Sequence, residues 1–420
     1  MSRAPIAHPP LISAWAQAPS IPGWRALESA LCVLFLFLYS QALIGPLFAD
    51  PADPESSAIL RLIWLPVYAA TLALMLLRPG GVARAVFGNP LLMGLLALTL
   101  ISVLWSVESG TTIRRSFALI MTSCLGVWMA VRWSWSEIVV RIASAFGFIA
   151  VLSLVFALVV PSIGVDYVVH DGAWRGVFWE KNTLGAMMAW GSIACLAALA
   201  CDPRHRMVWG ALAALCVGLV LLSTSKTALL SLMLGGGGLM GIVLSRRGFG
   251  FAALMLFGLL TGASFLALVL LIAPVELIEA LGRDATLTGR TDIWVVLIDQ
   301  VMARPWTGYG YQAYWADEQG PMHWVRLATS WDVPTAHNGW LEVSLAIGLP
   351  GAVVMAVLLL NALRRALSRL YRGLETYWAL PFLAMMALIS ISESNLLVQN
   401  DLGWVLFVMT AIKLGDRRAC

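Results

Sequence analysis

Apolar runs of bilayer-spanning length recur about twelve times along this chain. The hydrocarbon core of a bilayer is roughly 30 Å thick, and an α-helix crosses it in about 20 residues. Runs of that order lie near 27–48, 59–77, 91–107, 116–131, 138–160, 180–200, 207–223, 226–244, 250–273, 338–360, 376–392 and 397–414. In lipid, every backbone N–H and C=O has to be paired within the protein, so such runs fold as helices. Composition closes off the rival classes. The 420 residues are 60% hydrophobic and only 12% charged, against about 25% charge in a soluble domain. No soluble fold of this size hides so much apolar side chain, and neither disorder nor a disulfide scaffold fits. The expected fold is an all-α polytopic membrane protein.

An even number of spans puts both ends on one side, and the charges say which side. With the ends inside, the inner segments hold 17 of the 27 Lys and Arg residues. They hold five acids, Glu28, Glu137, Asp202, Glu375 and Asp416, while 18 acids lie outside. Lys and Arg in short loops stay on the cytoplasmic side, so both termini are expected there. The reading divides the chain into an inner segment 1–26, nine spans over 27–273, one large outer loop 274–336, three spans over 337–414 and an inner tail 415–420. The Pro-rich stretch to Ile21 lacks a following cleavage pattern, so the first span is expected to be retained. The cysteines fall in spans or on the inner side, and no disulfide or zinc site is expected.

Few charges fall near the centres of the spans, whereas ion-coupled transporters place ionisable groups there. The outer charges collect at helix ends and in loops, in four groups. The first is Trp174-Arg175 through Glu180-Lys181-Asn182 and Gly185. Arg175 offers a planar fork suited to phosphate, and Asn182 stands at a helix start, where backbone N–H groups face anions. Trp and Arg at a span end also serve as plain interfacial anchors. The second is Ser223-Thr224-Ser225-Lys226-Thr227, a turn so tight that Lys226 lies at the outer boundary. It is either a polar, cationic notch or a lysine reaching out to water.

The third group is Gly289-Arg290-Thr291-Asp292-Ile293-Trp294, followed by Pro305-Trp306-Thr307-Gly308-Tyr309-Gly310-Tyr311. Residues 291–303 read as an amphipathic helix with Ile293, Val296, Leu297 and Val301 on one stripe. Arg290 at its start opposes the helix dipole. Gly308 and Gly310 predict a tight turn or a close backbone approach to a ligand. Trp294, Tyr309 and Tyr311 either stack on sugar faces or lie on the membrane surface. The fourth group is His337-Asn338-Gly339-Trp340-Leu341-Glu342, with Gly348 further on. Histidine is the side chain best poised for proton transfer near neutral pH. Asn338 and Glu342 share a helix face, where Glu342 orients polar neighbours or accepts a proton. As a solvated cap, His337 would have no such role. No metal-binding, nucleotide-binding or nucleic-acid pattern stands beside these groups.

Taken in order, these motifs resemble the O-antigen ligase / Wzy-type polymerase superfamily, and most of all its exopolysaccharide-polymerase branch of the ExoQ kind. The likeness covers 170–355 in motif detail and the whole chain in topology. It implies a GT-C-like helical fold in a bacterial inner membrane and a metal-independent glycosyltransferase without a cofactor. The donor it implies is a glycan on undecaprenyl diphosphate, presented at the periplasmic face. Carried over, His337 is the general base, and Arg175 and Arg290 neutralise the leaving diphosphate. Lys226, Ser225, Asn182, Asn338, Glu342, Trp294, Tyr309 and Tyr311 are the expected substrate contacts. Lys226 stands where ligases often have arginine, which favours a repeat-unit polymerase over a ligase acting on lipid A-core. A lipid-linked glycan transporter ranks below both. The expected partners are the lipid-linked glycan, the bilayer, and flippase and chain-length or export proteins.

Overall fold

The computed structural model describes residues 22–48, 58–168, 170–272, 290–316, 320–329 and 333–416. The described chain is mostly helical. Each of the twelve apolar runs carries a helix: α1 (Trp24–Tyr39), α3 (Ala58–Leu76), α5 (Pro90–Ile101), α6 (Ser109–Arg132), α7 (Trp135–Val159), α9 (Lys181–Cys201), α10 (Arg206–Leu222), α11 (Lys226–Ser245), α12 (Phe249–Ile272), α15 (Gly339–Ser368), α16 (Thr376–Ile389) and α17 (Leu402–Gly415). Between them lie the short helices α2 (Ile44–Phe48), α4 (Pro79–Phe87) and α8 (Pro161–Gly164), and the antiparallel pair β1 (Val165–Asp166) and β2 (Ala173–Trp174). The loop before α15 holds α13 (Arg290–Ala303) and α14 (Pro321–Thr329). The part of that loop over 273–289 lies outside the described residues, as do Trp331 and the inner arginines Arg3, Arg417 and Arg418.

Among the described residues, five helices are long and apolar enough to cross a bilayer alone: Trp135–Val159, Lys181–Cys201, Pro203–Leu222, Lys226–Ser245 and Gly339–Ser368. A sixth crossing forms if α3 and α4, bent by 101°, count as one. The chain is thus an all-α membrane protein with several apolar helices. The run at 116–131 is short, yet its helix α6 is 24 residues long, because the polar turn Ser109–Arg115 extends it. The last two runs differ from expectation in the other direction. Helices α16 and α17 have 14 residues each, about 21 Å at 1.5 Å per residue. The stretch 390–401 between them is irregular and rich in Ser, Glu, Asn and Gln. Non-helical backbone of this kind persists near a membrane only where protein or a polar cavity satisfies it.

One core runs through the helices, with Trp128, Trp378, Trp404, Phe382 and Phe407 wholly buried. A second, smaller core lies under the large loop. There Ile293, Leu297 and Val301 of α13 meet Tyr309, Tyr314, Met322, Val325, Val333, Ala336 and Leu345. The stripe read from the sequence is therefore the buried face of α13, with Val296 partly buried beside it.

The loop is fastened to a break in α15. The helix departs from helical geometry at Ile347 (φ −135°) and Gly348 (φ 75°). Pro350 has no N–H, so the Ala346 carbonyl would lack its helical donor. The loop supplies one: Gly310 N donates to Ala346 O (3.0 Å) and Tyr309 N to Leu345 O (2.7 Å), while Leu349 N donates to Pro305 O (2.7 Å). Gly308 and Gly310 have φ of +64° and +101°, and a Cβ at Gly308 would stand 2.5 Å from Leu345 O. The close approach predicted for these glycines is therefore to the protein's own helix. Gly310→Ala forces a side chain against Ser106 at an unfavourable φ. It is expected to cost about 2–4 kcal/mol, from backbone strain and overpacking together. A lower thermal midpoint and faster proteolysis of the loop would show this; an unchanged midpoint would mean that this contact does not hold the loop.

Candidate active site

The start of α15 is built around Asn338. Its side-chain Oδ1 accepts from Trp340 N (3.0 Å) and Leu341 N (3.2 Å), the pattern of an N-cap. Gly339 N donates to Ser390 O at 2.9 Å, tying this start to the polar stretch 390–401. Asn338 thus spends its oxygen on the helix. Glu342, one turn in, uses both oxygens: Oε1 accepts from Ala336 N (2.7 Å) and Ser394 Oγ (3.2 Å), and Oε2 accepts from Trp315 Nε1 (2.9 Å). Of its two expected roles, the geometry favours orienting polar neighbours. Trp294 Nε1 donates to Ala336 O (2.9 Å), which braces the same corner.

His337 precedes the cap in the left-handed region, at φ 46°. Its Nδ1 stands 3.8 Å from Glu393 Oε2. The other oxygen of Glu393 lies 3.4 Å from an Arg290 guanidinium nitrogen, and Arg290 also donates to the Ser392 carbonyl. One carboxylate therefore joins the histidine to the arginine. The three side chains are only 13–23% exposed. Glu180, just before α9, faces the same cluster. It keeps an exposed surface, yet partial burial raises its carboxyl above the ordinary range. Glu393 adds to this, and His337, Arg290 and His170 oppose it; the open surface limits the size of the effect.

A second polar group joins the starts of α9 and α11. Ser225 Oγ donates to Asn182 Oδ1 (2.9 Å) and accepts from Ala228 N (3.4 Å) as the cap of α11. Lys181 Nζ donates to Thr224 Oγ1 (3.3 Å). Lys226 is the first residue of α11 and lies on the surface.

Not every expected site residue faces outward. Arg175 turns its fork to its own chain, where Nε donates to Ile163 O (2.8 Å) and a terminal nitrogen to Ser162 O (3.1 Å). These carbonyls close α8 before the β1–β2 pair, so the guanidinium braces the hairpin. Tyr309 and Tyr311 are 5% and 1% exposed. Tyr309 OH donates to Gln300 O (3.0 Å), and Tyr311 OH to Leu397 O (2.7 Å). Their rings fill the two cores rather than an open face. The indoles with open surface are Trp179, Trp306 and Trp324. The sequence reading missed Glu393, Glu180 and Lys181 as site residues. Their signal was present: Glu393 sits in the polar break between the last two apolar runs, and Glu180-Lys181 lies inside the first motif.

Among the described residues, no group of three or more His, Cys, Asp or Glu side chains is arranged to hold a metal ion. Two comparisons bear on what a multi-helix protein with this site is. Residues 211–356 match the family model Wzy_C, O-antigen ligase. That segment includes Lys226, Arg290, His337 and Glu342, and leaves Arg175, Lys181 and Glu393 outside. The resemblance to the O-antigen ligase / Wzy-type polymerase superfamily read from the motifs is thereby shown. Over 285 residues the chain is 28% identical to the exopolysaccharide production protein ExoQ of Rhizobium meliloti (strain 1021). The match spans 63% of this chain and 64% of that relative's length. The chain is thus similar to ExoQ over that span.

Proposed function

We propose that this protein polymerises oligosaccharide repeat units carried on undecaprenyl diphosphate into exopolysaccharide at the periplasmic face of the inner membrane. The carrying observation is the half-buried cluster of His337, Glu393 and Arg290 at the start of α15. In this reading the chain has twelve spans in a GT-C-like arrangement with both termini cytoplasmic, and the cluster faces the periplasm. A sugar hydroxyl of the acceptor loses its proton to His337 as its oxygen bonds to the donor's anomeric carbon. The bond from that carbon to the diphosphate oxygen breaks, and the diphosphate leaves with the electron pair. Glu393 faces Nδ1 and leaves Nε2 as the basic atom. Arg290 and Lys226 stabilise the charge that develops on the leaving group. The activated donor supplies the driving force, and flippase and export proteins are the fitting partners upstream and downstream. The exposed indoles offer faces for sugar rings.

The second reading is a ligase that moves finished glycan to lipid A-core or another acceptor. The O-antigen ligase match over 211–356 favours it, and the site chemistry is the same. The test is to give the purified protein, in proteoliposomes, the lipid-linked repeat unit alone. Growth of the chain is the expected result. Transfer only after a separate acceptor is added assigns a ligase, and no transfer in either case removes both readings.

A further inference from the structure

The elbow between α3 and α4 holds an apolar crevice of about 470 Å³. Arg78 forms the bend. It precedes Pro79, which drives its backbone out of helical geometry (φ −140°), and α4 leaves α3 at 101°. Helix α4 therefore runs across the end of α3 rather than on along it. Its Gly81 side lies on α6, where a Cβ would stand 2.6 Å from Val131 Cγ1, and Ala85 on the same side is buried. The other side carries Val82, Ala83 and Val86, which line the crevice together with Leu72, Met75 and Leu76 of α3. Its volume falls in the range of small-molecule sites, about 300–1,000 Å³. These six side chains offer no hydrogen bond to a polar guest.

The rim of the crevice is cationic. Arg78 stands at its corner, next to the lining residue Pro79, and Arg84 is exposed on α4 beside the lining residue Ala83. Behind the rim the charges do not balance. Arg25, Arg78, Arg132 and Arg141 meet around Glu28 and Glu137, four cations against two acids. Glu28 already holds Arg132 at 2.6 Å and stands 3.9 Å from Arg78, beyond a hydrogen bond. Arg78 Nε has no hydrogen-bond partner among the described residues. Its side chain is 23% exposed, so part of the guanidinium still faces outward.

We propose that an anionic phospholipid occupies this elbow, with one acyl chain in the crevice and its phosphate on Arg78 and Arg84. The two halves of the site together select the ligand. A soluble anion pairs with the arginines but has nothing to place against Leu72, Leu76 and Val86. A neutral lipid fills the crevice but leaves the extra positive charge unanswered. Basic pockets between membrane helices take acidic lipid headgroups for this reason. In the orientation proposed above, the lipid belongs to the inner leaflet. It sits at the opposite end of the helices from His337, so it takes no part in glycosyl transfer and fastens the α3–α4 elbow to α1 and α6.

The full-length protein, depleted of lipid in detergent, is titrated with phosphatidylglycerol and, separately, with phosphatidylcholine. Bound lipid is counted by native mass spectrometry. One phosphatidylglycerol should bind about tenfold or more tightly than phosphatidylcholine, and Arg84→Ala should weaken it about fivefold, the share of one arginine near a membrane surface. Arg247→Ala, at an exposed arginine beyond the end of α11, should leave it unchanged. Ala83→Trp fills the crevice from an exposed position and should remove the tight lipid, with a lipid-free thermal midpoint near that of the wild type. Equal binding of the two lipids by the wild type would overturn the inference. So would equal losses from Arg84→Ala and Arg247→Ala, since scattered surface charge then attracts the lipid. Wild-type affinity in Ala83→Trp would overturn it too, because the acyl chain then lies elsewhere. If Ala83→Trp does not insert, the comparison of Arg84→Ala with Arg247→Ala decides.

Discussion

Replacing His337 with alanine should lower glycan transfer by about 10²–10⁴-fold, the range set by general acid–base catalysis. The expectation rests on where this side chain stands. It is 17% exposed, and its Nδ1 faces Glu393 at 3.8 Å. Its backbone is left-handed, at φ 46°, which costs a non-glycine residue about 1–2 kcal/mol. Asn338 takes over the capping of α15, so the histidine is not needed to start the helix. The fold has little reason to fail without the imidazole, and the backbone strain is unchanged by alanine. The measurement is chain growth from the lipid-linked repeat unit in proteoliposomes, with thermal midpoints recorded in parallel. Polymer of normal length and yield from His337→Ala would remove the base assignment. A variant that no longer inserts would leave His337→Gln, which keeps size and polarity but takes no proton, to decide the matter.

The largest loss of stability is expected at the opposite end of the helices, from Glu28→Ala. Glu28 is wholly buried in α1. Its carboxylate meets Arg132 of α6 at 2.6 Å and Arg78, just before α4, at 3.9 Å. Arg132 and Arg141 lie over the Trp133 ring at 3.9 and 3.5 Å. Lys413 of α17 caps the end of α6 by donating to Ala130 O (3.1 Å) and Trp133 O (2.6 Å). The helices of this end thus meet around a set of cations with one buried acid at its centre. Removing that acid leaves two guanidinium groups without it, and breaking a buried pair costs about 3–5 kcal/mol. The thermal midpoint of detergent-solubilised protein should fall clearly, and Arg132→Ala in the same chain should recover part of the loss. An unchanged midpoint would show that water or lipid headgroups already carry these charges. In the sequence Glu28 was only one of five inner acids. Its weight comes from a partner 104 residues away.

The sites of chemistry were legible to different depths. His337 and Asn338 stood out because a polar pair opening an apolar run is a local signal, and the cap geometry follows from it. The stripe of α13 was legible for the same reason, since a period of 3.6 residues is written in the chain itself. Glu393 was visible only as a polar residue in the break between the last two apolar runs; that it joins His337 to Arg290 was not, because 56 residues separate it from the histidine and no spacing rule connects them. Arg175 shows the reverse error. Its type and place suit a phosphate, but two carbonyls 12 and 13 residues back in sequence, at 2.8 and 3.1 Å, take two of its donors. The tyrosines near Gly308 looked like open stacking faces, yet both rings went into cores once the loop folded down on α15.

The sequence by itself determined that the chain forms apolar helices in a membrane and where most of them lie. It could do so because a bilayer judges each segment alone: about 20 apolar residues pair their own backbone and enter. The motifs in their order also carried the likeness to the superfamily. Only the tertiary structure decided which polar groups are spent and which remain for a substrate. A hydrogen bond or ion pair needs both partners in place, and here they come from distant segments: the loop that satisfies the break in α15, the carboxylate that bridges arginine and histidine, and the hydroxyl between helices that meets Lys181.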